Sequence, residues 1–311
     1  MLSCKIRKYG NNVINYKTKV IAVFNQKGGV GKTTFTGIIS EYAAIIDKLN
    51  VLVVDLDMQC NTSHYWVGME PAPHAVGGQL PPRHPEYDGD PDIEERSTIA
   101  DIFFGKTVLP HETFISTENG YPANVDVLVG HPALLERINT EFDNASGQIG
   151  SQIINRLAEF LHTDSVSDAY DLIVLDTAPG RTPTFRAALR AATHCVIPFE
   201  PEEKSIQGIN AMLQSLESEN YSRSDEDQII NIGLCANKVK SNTKLHRDTL
   251  KILHRDLPEV LFPKDIFIPY SIAFPERDIK GINPKTIFKI SNKHKAKISS
   301  EAVGKYIMAH I

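Results

Sequence analysis

Apolar runs that suit buried strands alternate with stretches of helical periodicity along most of the chain. Lys19–Phe24 (KVIAVF) and Val51–Val54 (VLVV) are short runs rich in β-branched residues, as in strands that are buried on both faces. Between them, apolar residues recur at helical spacing from Lys32 to Leu49. A strand, a helix and a second strand within about 35 residues predict a βαβ unit with a right-handed crossover.

The same alternation continues toward the C-terminus and predicts the fold class. Further strands are predicted at Val125–Val129, Asp171–Leu175, His194–Ile197, Ile229–Leu234 and Ile266–Ile268. Helices are predicted at Pro132–Phe142, Gly150–Leu161, Thr182–Ala192, Lys204–Glu217, Thr243–Leu257 and Ser299–Ile311. Repeated β–α alternation is typical of the α/β class, so we expect a mostly parallel, twisted sheet with helices on both faces, Rossmann-like in architecture.

Composition indicates an ordinary globular domain. Of 311 residues, 41% are hydrophobic and 23% are charged. We expect a single domain over residues 19–311, an N-terminal extension over residues 1–18, and a flexible insertion at residues 70–96, which are dense in Pro, Gly, Asp and Glu. No apolar run approaches the ~20 residues that cross a bilayer, and the four cysteines lack metal-ligand spacing. A cytoplasmic protein is therefore expected.

A glycine-rich turn between the first strand and the first helix carries the strongest chemical signal. This phosphate loop, residues 25–34, reads Asn-Gln-Lys-Gly-Gly-Val-Gly-Lys-Thr-Thr. Glycines let backbone N–H groups approach phosphate oxygens, and the helix start adds its dipole and unpaired donors. Lys32 is placed to reach the β- and γ-phosphates of a nucleotide, and the Thr33 hydroxyl to bind Mg²⁺. The expected cradle consists of Gly28, Gly29, Val30, Gly31, Lys32, Thr33 and Thr34. A chance glycine-lysine turn, the alternative, would not explain the strand before it and the helix after it.

Polar residues follow three of the other predicted strands. The second strand leads into Asp55-Leu56-Asp57, and the strand Asp171–Leu175 ends in Asp176. Four apolar residues followed by Asp form the Walker B pattern, so Asp176 is predicted to hold Mg²⁺ through water. A strand-end aspartate can also cap a turn, which is the alternative for Asp57. A later strand is followed by Asn237 and a lysine, although asparagine is also an ordinary turn residue.

The phosphate loop departs from the standard pattern, which requires a glycine where this chain has Gln26. It matches instead the deviant form KGGxGKT, whose additional lysine is Lys27. Together with the D-x-D segment, the Walker B strand and the Asn-Lys pair, this loop resembles the ParA/MinD superfamily of P-loop ATPases. The Asn-Gln pair before Lys27 resembles its partition-type ParA members. The resemblance covers most of the chain, from about residue 19 to residue 311.

The resemblance implies roles for individual residues. Lys27 would reach across a nucleotide-sandwich homodimer to the partner's ATP phosphates, where a cation supplied in trans stabilises charge on the transferred phosphoryl group. Asp57 would position the attacking water, and Asp55 would lie nearer the Mg²⁺ shell. Asn237 would contact the adenine ring. These assignments predict slow ATP hydrolysis that depends on Lys27, Lys32 and Asp57.

The resemblance also implies partners. A ParA-like switch would dimerise with ATP, bind nonspecific DNA in the nucleoid, and be released when a ParB-like partner stimulates hydrolysis. Only about eighteen residues precede the first strand, too few for a helix-turn-helix, so DNA contact is expected to be directed at phosphates and sensitive to salt. The candidate contacts are Lys240, Lys244, Arg247 and Lys251. The last three share one helical face, and a merely solvated face is the alternative.

Two other functional classes stay open. A MinD-like membrane switch would use a partly apolar C-terminal stripe formed by Ala302, Val303, Tyr306, Ile307 and His310. Core packing explains this stripe better, because Lys305 alone is basic within it and a membrane helix favours a basic polar face. A metabolic ligase or reductase component could use the same phosphate loop. The reductase kind needs a cysteine near Walker B, where this chain has Thr177.

Overall fold

The computed structural model describes residues 18–87, 96–113, 124–143, 147–202, 205–277 and 286–311. The strands are β1 (Lys19–Val23), β2 (Val51–Asp55), β3 (Glu70–Pro71), β4 (Gln79–Leu80), β5 (His111–Glu112), β6 (Val125–Leu128), β7 (Leu172–Asp176), β8 (His194–Phe199) and β9 (Ile230–Ala236). The α-helices are α1 (Lys32–Ile45), α2 (Asn61–Trp66), α3 (Ala100–Phe103), α4 (Pro132–Glu141), α5 (Gly147–Leu161), α6 (Asp164–Ala169), α7 (Pro183–Ala191), α8 (Ser205–Tyr221), α9 (Lys244–Asp256), α10 (Ala273–Arg277) and α11 (Lys295–Met308).

The main sheet confirms the predicted α/β class. Its strand order in the described part of the chain is β5-β6-β2-β7-β1-β8-β9. All neighbours are parallel except β5, which pairs antiparallel with β6 at one edge. Successive residues of β1 face opposite sides: Val20 joins the apolar cluster that includes Phe185 of α7, and Ile21 the cluster that includes Phe35 of α1. Helices therefore cover both faces, as the fully apolar strands predict.

Strand order places the acidic strand ends beside the phosphate loop. Strand β7 lies between β1 and β2, and Asp176 at its end pairs in register with Val23 on one side and Asp55 on the other. The phosphate loop begins immediately after β1. Because functional groups in such sheets collect at the carboxyl ends of the strands, this edge is the expected place for a ligand.

The predicted strand at residues 266–268 is wrong. This segment runs beside β9 through isolated contacts, with the Ile268 N–H donating to the Ala236 carbonyl and a single bridge between Val239 and Pro269. Proline has no N–H to donate, and Pro263 accepts from Ile266 in a turn just before the segment, so a continuous ladder does not form.

Part of the predicted insertion folds against the body of the domain. Strands β3 and β4 form a short antiparallel hairpin. Arg96 joins Glu70 at 2.7 Å and also bonds the Pro81 carbonyl. The Gln79 side chain donates to the Gln59 carbonyl at 3.2 Å. Residues 88–95 of the insertion and residues 1–17 of the predicted extension lie outside the described residues.

The C-terminal helix packs on the first helix. Val303 and Ile307 of α11 are fully buried. Gly304 lies so close to the Tyr42 ring of α1 that an added Cβ would sit 2.4 Å from it. Core packing, the favoured interpretation of the C-terminal stripe, is therefore confirmed for Val303 and Ile307, while His310 is exposed. In the described part of the chain, no helix has the length and apolarity to cross a bilayer.

Candidate functional site

The phosphate loop has the backbone shape that an anion cradle needs. Gly29 and Gly31 have φ values of 75° and 92°, in the left-handed region that glycine tolerates best. Gly31 caps α1, which starts at Lys32. The first N–H groups of a helix lack intrahelical acceptors and carry the positive end of the helix dipole. The loop can therefore offer several backbone donors to phosphate oxygens.

Lys32 is folded back onto the loop that carries it. Its side chain is buried (6% of the residue is exposed), and Nζ donates to the Asn25 carbonyl at 3.2 Å and to the Lys27 carbonyl at 3.5 Å. Burial lowers the pKa of Lys32, while Asp176 and Asp57 act in the opposite direction. The ammonium is thus held by neutral acceptors that phosphate oxygens can replace.

Asp176 joins two hydroxyl groups at the end of β7. Its Oδ2 accepts from Thr33 Oγ1 at 2.7 Å and from Thr62 Oγ1 at 2.6 Å. Its Oδ1 is buried and has no hydrogen-bond partner among the described residues. Burial raises the pKa of Asp176, and the two hydroxyl donors oppose that rise.

These residues fit a magnesium ion. Mg²⁺ usually keeps several waters and takes one or two carboxylates together with substrate phosphates. The orphaned Oδ1 of Asp176 would have a partner in a metal-bound water, and Thr33 supplies the hydroxyl that such sites use. The described residues contain no group of three or more His, Cys, Asp or Glu with metal-ligand geometry. The arrangement therefore suits a nucleotide-dependent ion rather than a protein-only metal cage.

Asp55 organises the chain that follows it. Its Oδ1 accepts from the Asp57 N–H at 3.2 Å, and its Oδ2 accepts from both the N–H and the hydroxyl of Ser63, at 2.8 and 2.7 Å. The side chain is fully buried. Burial, reinforced by Asp176, raises its pKa. Asp55 lies next to the predicted metal site, but its oxygens already serve protein donors.

The Asp57 loop, residues 56–60, forms a turn after β2 that is closed by the Cys60 N–H donating to the Asp57 carbonyl at 2.9 Å. Asp57 is partly buried, and its Oδ1 accepts from the Gln59 N–H at 3.0 Å, so the turn-capping alternative describes one of its contacts. Burial raises the pKa of Asp57, and Lys32 lowers it. Cys60 ends the loop with φ 50°, a conformation that residues other than glycine adopt infrequently. Asp57 and Lys32 therefore lie close enough for each charge to shift the pKa of the other.

Asn237 and Lys238 bind the phosphate loop directly. Asn237 Nδ2 donates to the Val30 carbonyl at 2.7 Å, and its Oδ1 accepts from the Lys238 N–H at 2.9 Å. Lys238 Nζ donates to the Gly29 carbonyl at 2.6 Å. Both amide atoms of Asn237 are therefore engaged with the protein, and its contact with adenine stays a prediction. The Asn-Lys pair marked Lys238 in the sequence, but its contact with the phosphate loop was not predicted.

Lys27 is paired within its own chain. Its Nζ lies 2.5 Å from Glu202 Oε2, and each side chain is 41% exposed. The backbone N–H of Lys27 donates to Asn25 Oδ1, and Asn25 Nδ2 donates to the Pro198 carbonyl. This network fixes the start of the phosphate loop to the end of β8. No local signal in the sequence pointed to Glu202.

The segment after Walker B also touches the phosphate loop. The Gly180 N–H donates to the Gln26 carbonyl at 3.2 Å, and Gly180 has φ 89°. The Thr177 hydroxyl donates to the Val23 carbonyl at 2.9 Å. Residues 177–180 are therefore bonded both to β1 and to the phosphate loop.

The four basic candidates for DNA contact are all exposed. Three lie on α9, whose opposite face is buried through His246, Thr249 and Leu253. The fourth, Lys240, precedes the helix and places its Nζ 5.0 Å from the centre of the Tyr270 ring. The exposed candidates are Lys240, Lys244, Arg247 and Lys251. The shared helical face that the spacing predicts is thus present.

Comparison with known proteins identifies the family. The model of the family described as "AAA domain" matches residues 18–228. The chain belongs to this family. It is a ParA-type member of the ParA/MinD superfamily, as the phosphate loop predicted. An uncharacterised protein of Methanocaldococcus jannaschii is 23% identical over 296 residues, covering 94% of this chain and 99% of that protein.

Two further similar proteins have names that state a cellular role or a bound nucleotide. The chromosome-partitioning ATPase Soj of Thermus thermophilus is 29% identical over 206 residues, which cover 66% of this ParA-type chain and 64% of Soj. The ParA-type chain thus spans less than two thirds of the length of Soj. The ATP complex of a McdA variant from Cyanothece has the same fold, with a TM-score of 0.69 at 16% identity over 94% of this chain and 97% of that one.

Proposed function

We propose that this ParA-type protein is a slow, ATP-dependent dimerising switch that positions DNA or other cargo. The observation that carries the proposal is the convergence of Lys32, Thr33 and Asp176 at the start of α1, with the buried Asp176 Oδ1 left for a metal-bound water. Phosphate-binding backbone, a buried cation and an Mg²⁺-type hydroxyl–carboxylate pair together suit a nucleoside triphosphate. The ATP complex of the McdA variant supports ATP as the nucleotide.

Different residues of this chain would bind the phosphates and orient the attacking water. Mg²⁺, when bound, would neutralise charge on the β- and γ-phosphates. Lys32 would exchange its two carbonyl acceptors for phosphate oxygens, and the phosphate loop would hold the triphosphate through backbone N–H groups. Asp57, partly buried at the same edge, would orient the attacking water. Hydrolysis in the monomer would be slow, because Lys27 would act on the nucleotide of a partner rather than on that of its own protomer.

Lys27 would complete the site of a partner protomer. Its side chain is 41% exposed and its ammonium pairs with Glu202, so it could exchange this carboxylate for the phosphates of a second copy. A cation added in trans stabilises charge that develops on the transferred phosphoryl group. Hydrolysis would therefore require a face-to-face homodimer.

DNA binding would use the exposed basic face of α9 with Lys240. Contacts of lysine and arginine with phosphates are independent of sequence and release counterions, so affinity falls steeply with salt. A ParB-like partner would stimulate hydrolysis and release the dimer, as the ParA family suggests. The protein would act in the cytoplasm, on the nucleoid in its ATP state.

The deciding experiment measures ATP-dependent binding to nonspecific duplex DNA across a salt series. The wild type is compared with Asp57→Ala, which should bind ATP without hydrolysing it. We expect tight, salt-sensitive binding that requires ATP and persists in Asp57→Ala. Absence of binding by both proteins in ATP would refute the proposed binding to nonspecific DNA. ATP-dependent pelleting on anionic liposomes would then indicate a membrane role, and turnover that requires a small metabolite would indicate a ligase.

The basic face is tested separately with Lys244→Glu combined with Arg247→Glu. This double reversal should reduce DNA affinity by roughly 10-fold or more and flatten the salt dependence, because each lost phosphate contact lowers the salt slope by ~0.9. ATP turnover should stay at the wild-type rate. A matched control, Lys289→Glu in the C-terminal region, should leave DNA binding unchanged. Unaltered DNA binding in the double variant would remove α9 from the proposal.

A further inference from the structure

Thr62 donates a hydrogen bond to Asp176, and none of the functional roles proposed above includes Thr62. It lies in the first turn of α2 and is buried. Its hydroxyl donates to Asp176 Oδ2 at 2.6 Å, the same oxygen that accepts from Thr33 at 2.7 Å. Two threonines from different segments, one in the phosphate loop and one after the Asp57 loop, therefore hold a single carboxylate oxygen.

The two hydroxyl groups are not equivalent once a metal binds. Thr33 is the residue whose oxygen would ligate Mg²⁺, so its orientation becomes dependent on the ion. Thr62 is not proposed as a ligand of Mg²⁺. Its hydroxyl can therefore keep its hydrogen bond to Asp176 whether or not the ion is bound. The second oxygen, Oδ1, is then the one left for the metal shell. Partners of this kind orient ligands and are commonly worth about 10- to 100-fold in metal affinity.

We propose that Thr62 is a positioning residue of the Mg²⁺ site, fixing Asp176 and linking the site to the Asp57 loop. This inference rests on the proposed nucleotide-binding function and adds a residue to it. Thr62 would act through Asp176. A valine in its place would keep the shape of the side chain and remove the donor.

The link to the Asp57 loop comes from the next residue along the chain. Ser63 donates its N–H and hydroxyl to Asp55 Oδ2, and its hydroxyl accepts from the Gly130 N–H at 2.8 Å. The first turn of α2 is thus bonded to β7 through Thr62 and to β2 through Ser63. The Asp57 loop lies between Asp55 and this turn, so both of its ends are fixed to the strands that carry the acidic residues. A displacement of Asp176 is therefore transmitted to the loop that bears Asp57.

The test measures binding of a fluorescent, non-hydrolysable ATP analogue across a Mg²⁺ series, with EDTA as the metal-free end. Thr62→Val should need about 10- to 100-fold more Mg²⁺ for half-maximal enhancement of binding, while its affinity in EDTA matches that of the wild type. Thr62→Ser, which keeps a hydroxyl, should restore most of the Mg²⁺ response. Thr36→Val is the matched control, because Thr36 on α1 is also buried and its hydroxyl has no hydrogen-bond partner among the described residues.

The outcomes separate the inference from the proposed function. A wild-type Mg²⁺ response in Thr62→Val would overturn the role of Thr62 and leave the nucleotide site intact. Equal loss of binding in EDTA and in Mg²⁺ would also overturn it, since the defect would then be structural. If Thr62→Val does not fold, Thr62→Ala is compared with Thr62→Ser by the same titration, and equal responses of these two variants would overturn the inference. A wild-type protein without Mg²⁺-dependent nucleotide binding would refute the proposed function itself.

Discussion

The ammonium of Lys27 lies 2.5 Å from the Glu202 carboxylate, so the lysine proposed to act on a partner's nucleotide is paired inside its own protomer. The hydrogen bond from Lys27 lowers the pKa of Glu202. Both side chains are well exposed, and ion pairs of this kind contribute only about 0.2–1 kcal/mol. The pair can therefore open when phosphates of a second protomer approach, at a small cost.

Glu202→Gln should favour the ATP-bound dimer. Neutralising the carboxylate removes the competitor for Lys27 while keeping a side chain of similar shape. Two pairs open per dimer, so the dimer dissociation constant should fall about 2- to 30-fold. Sedimentation of Glu202→Gln and its parent, both in an Asp57→Ala background with ATP, measures this constant without hydrolysis.

A double-mutant cycle with Lys27→Ala assigns the effect. In a chain that lacks Lys27, the change Glu202→Gln should leave the dimer constant unaltered, because there is no longer a cation to release. Weaker dimerisation in the single variant Glu202→Gln would contradict the prediction and indicate that Glu202 serves the dimer rather than restraining it.

Lys32→Ala should weaken ATP binding by about 10- to 100-fold, because a charge-assisted hydrogen bond contributes about 1.5–3 kcal/mol. Turnover should be lost as well. Calorimetric titration with a non-hydrolysable ATP analogue measures the affinity. Lys27→Ala is the contrast from the same loop: it should keep binding in the monomer and lose turnover. Equal affinity in Lys32→Ala and the wild type would remove the phosphate loop as the nucleotide site.

Gly31→Ala should destabilise the nucleotide-free protein by about 1–3 kcal/mol. Gly31 has φ 92°, and a Cβ there would lie 2.1 Å from Asn237 Nδ2, the atom that bonds the Val30 carbonyl. Gly28→Ala is the matched control, since an added Cβ at Gly28 meets no atom within 4 Å and its φ is not positive. Urea unfolding of both variants gives the comparison. Equal stability of the two would show that the loop rearranges freely around Gly31.

Sequence patterns predicted the parts of the site that depend on local order. An apolar run ending in aspartate placed Asp176 at a strand end, and glycine spacing placed Lys32 at a helix start. The contacts that join these parts were not predicted. Thr62 meets Asp176 across 114 positions and Lys27 meets Glu202 across 175. Periodicity reports which face of an element is buried, and it carries no information on which distant element covers that face.

The same limit explains the errors in the fold. The edge strand β5 has two residues and presents no alternation that a pattern could reveal. The segment 266–268 has a β-branched, aromatic composition typical of strands, yet prolines at 263 and 269 restrict its hydrogen bonds. The place of Asp55 near the metal shell stays a prediction. What the sequence did not indicate is that its oxygens also accept from the Asp57 N–H and from Ser63.

Stability should fall in mild acid partly because of His194. This residue of β8 is only 2% exposed, and its Nδ1 lies 2.8 Å from the Thr193 hydroxyl. Burial, reinforced by Lys19, lowers its pKa to about 4. Between the unfolded value of about 6.5 and pH 4, the unfolded chain therefore binds a proton that the folded protein does not. The contribution of the neutral His194 ring to the free energy of unfolding is complete above about pH 6.5 and is lost as the pH falls toward 4.

His194→Asn removes this titration, so the variant should lose less stability than the wild type on acidification. The difference should grow to on the order of 3 kcal/mol between pH 7 and pH 4. Urea unfolding at a series of pH values measures it. His74→Asn, a change at an exposed histidine, serves as the control. Parallel stability curves for His194→Asn and the wild type would mean that His194 is not held neutral by the fold. A larger acid loss in the variant would reverse the sign and contradict the burial argument.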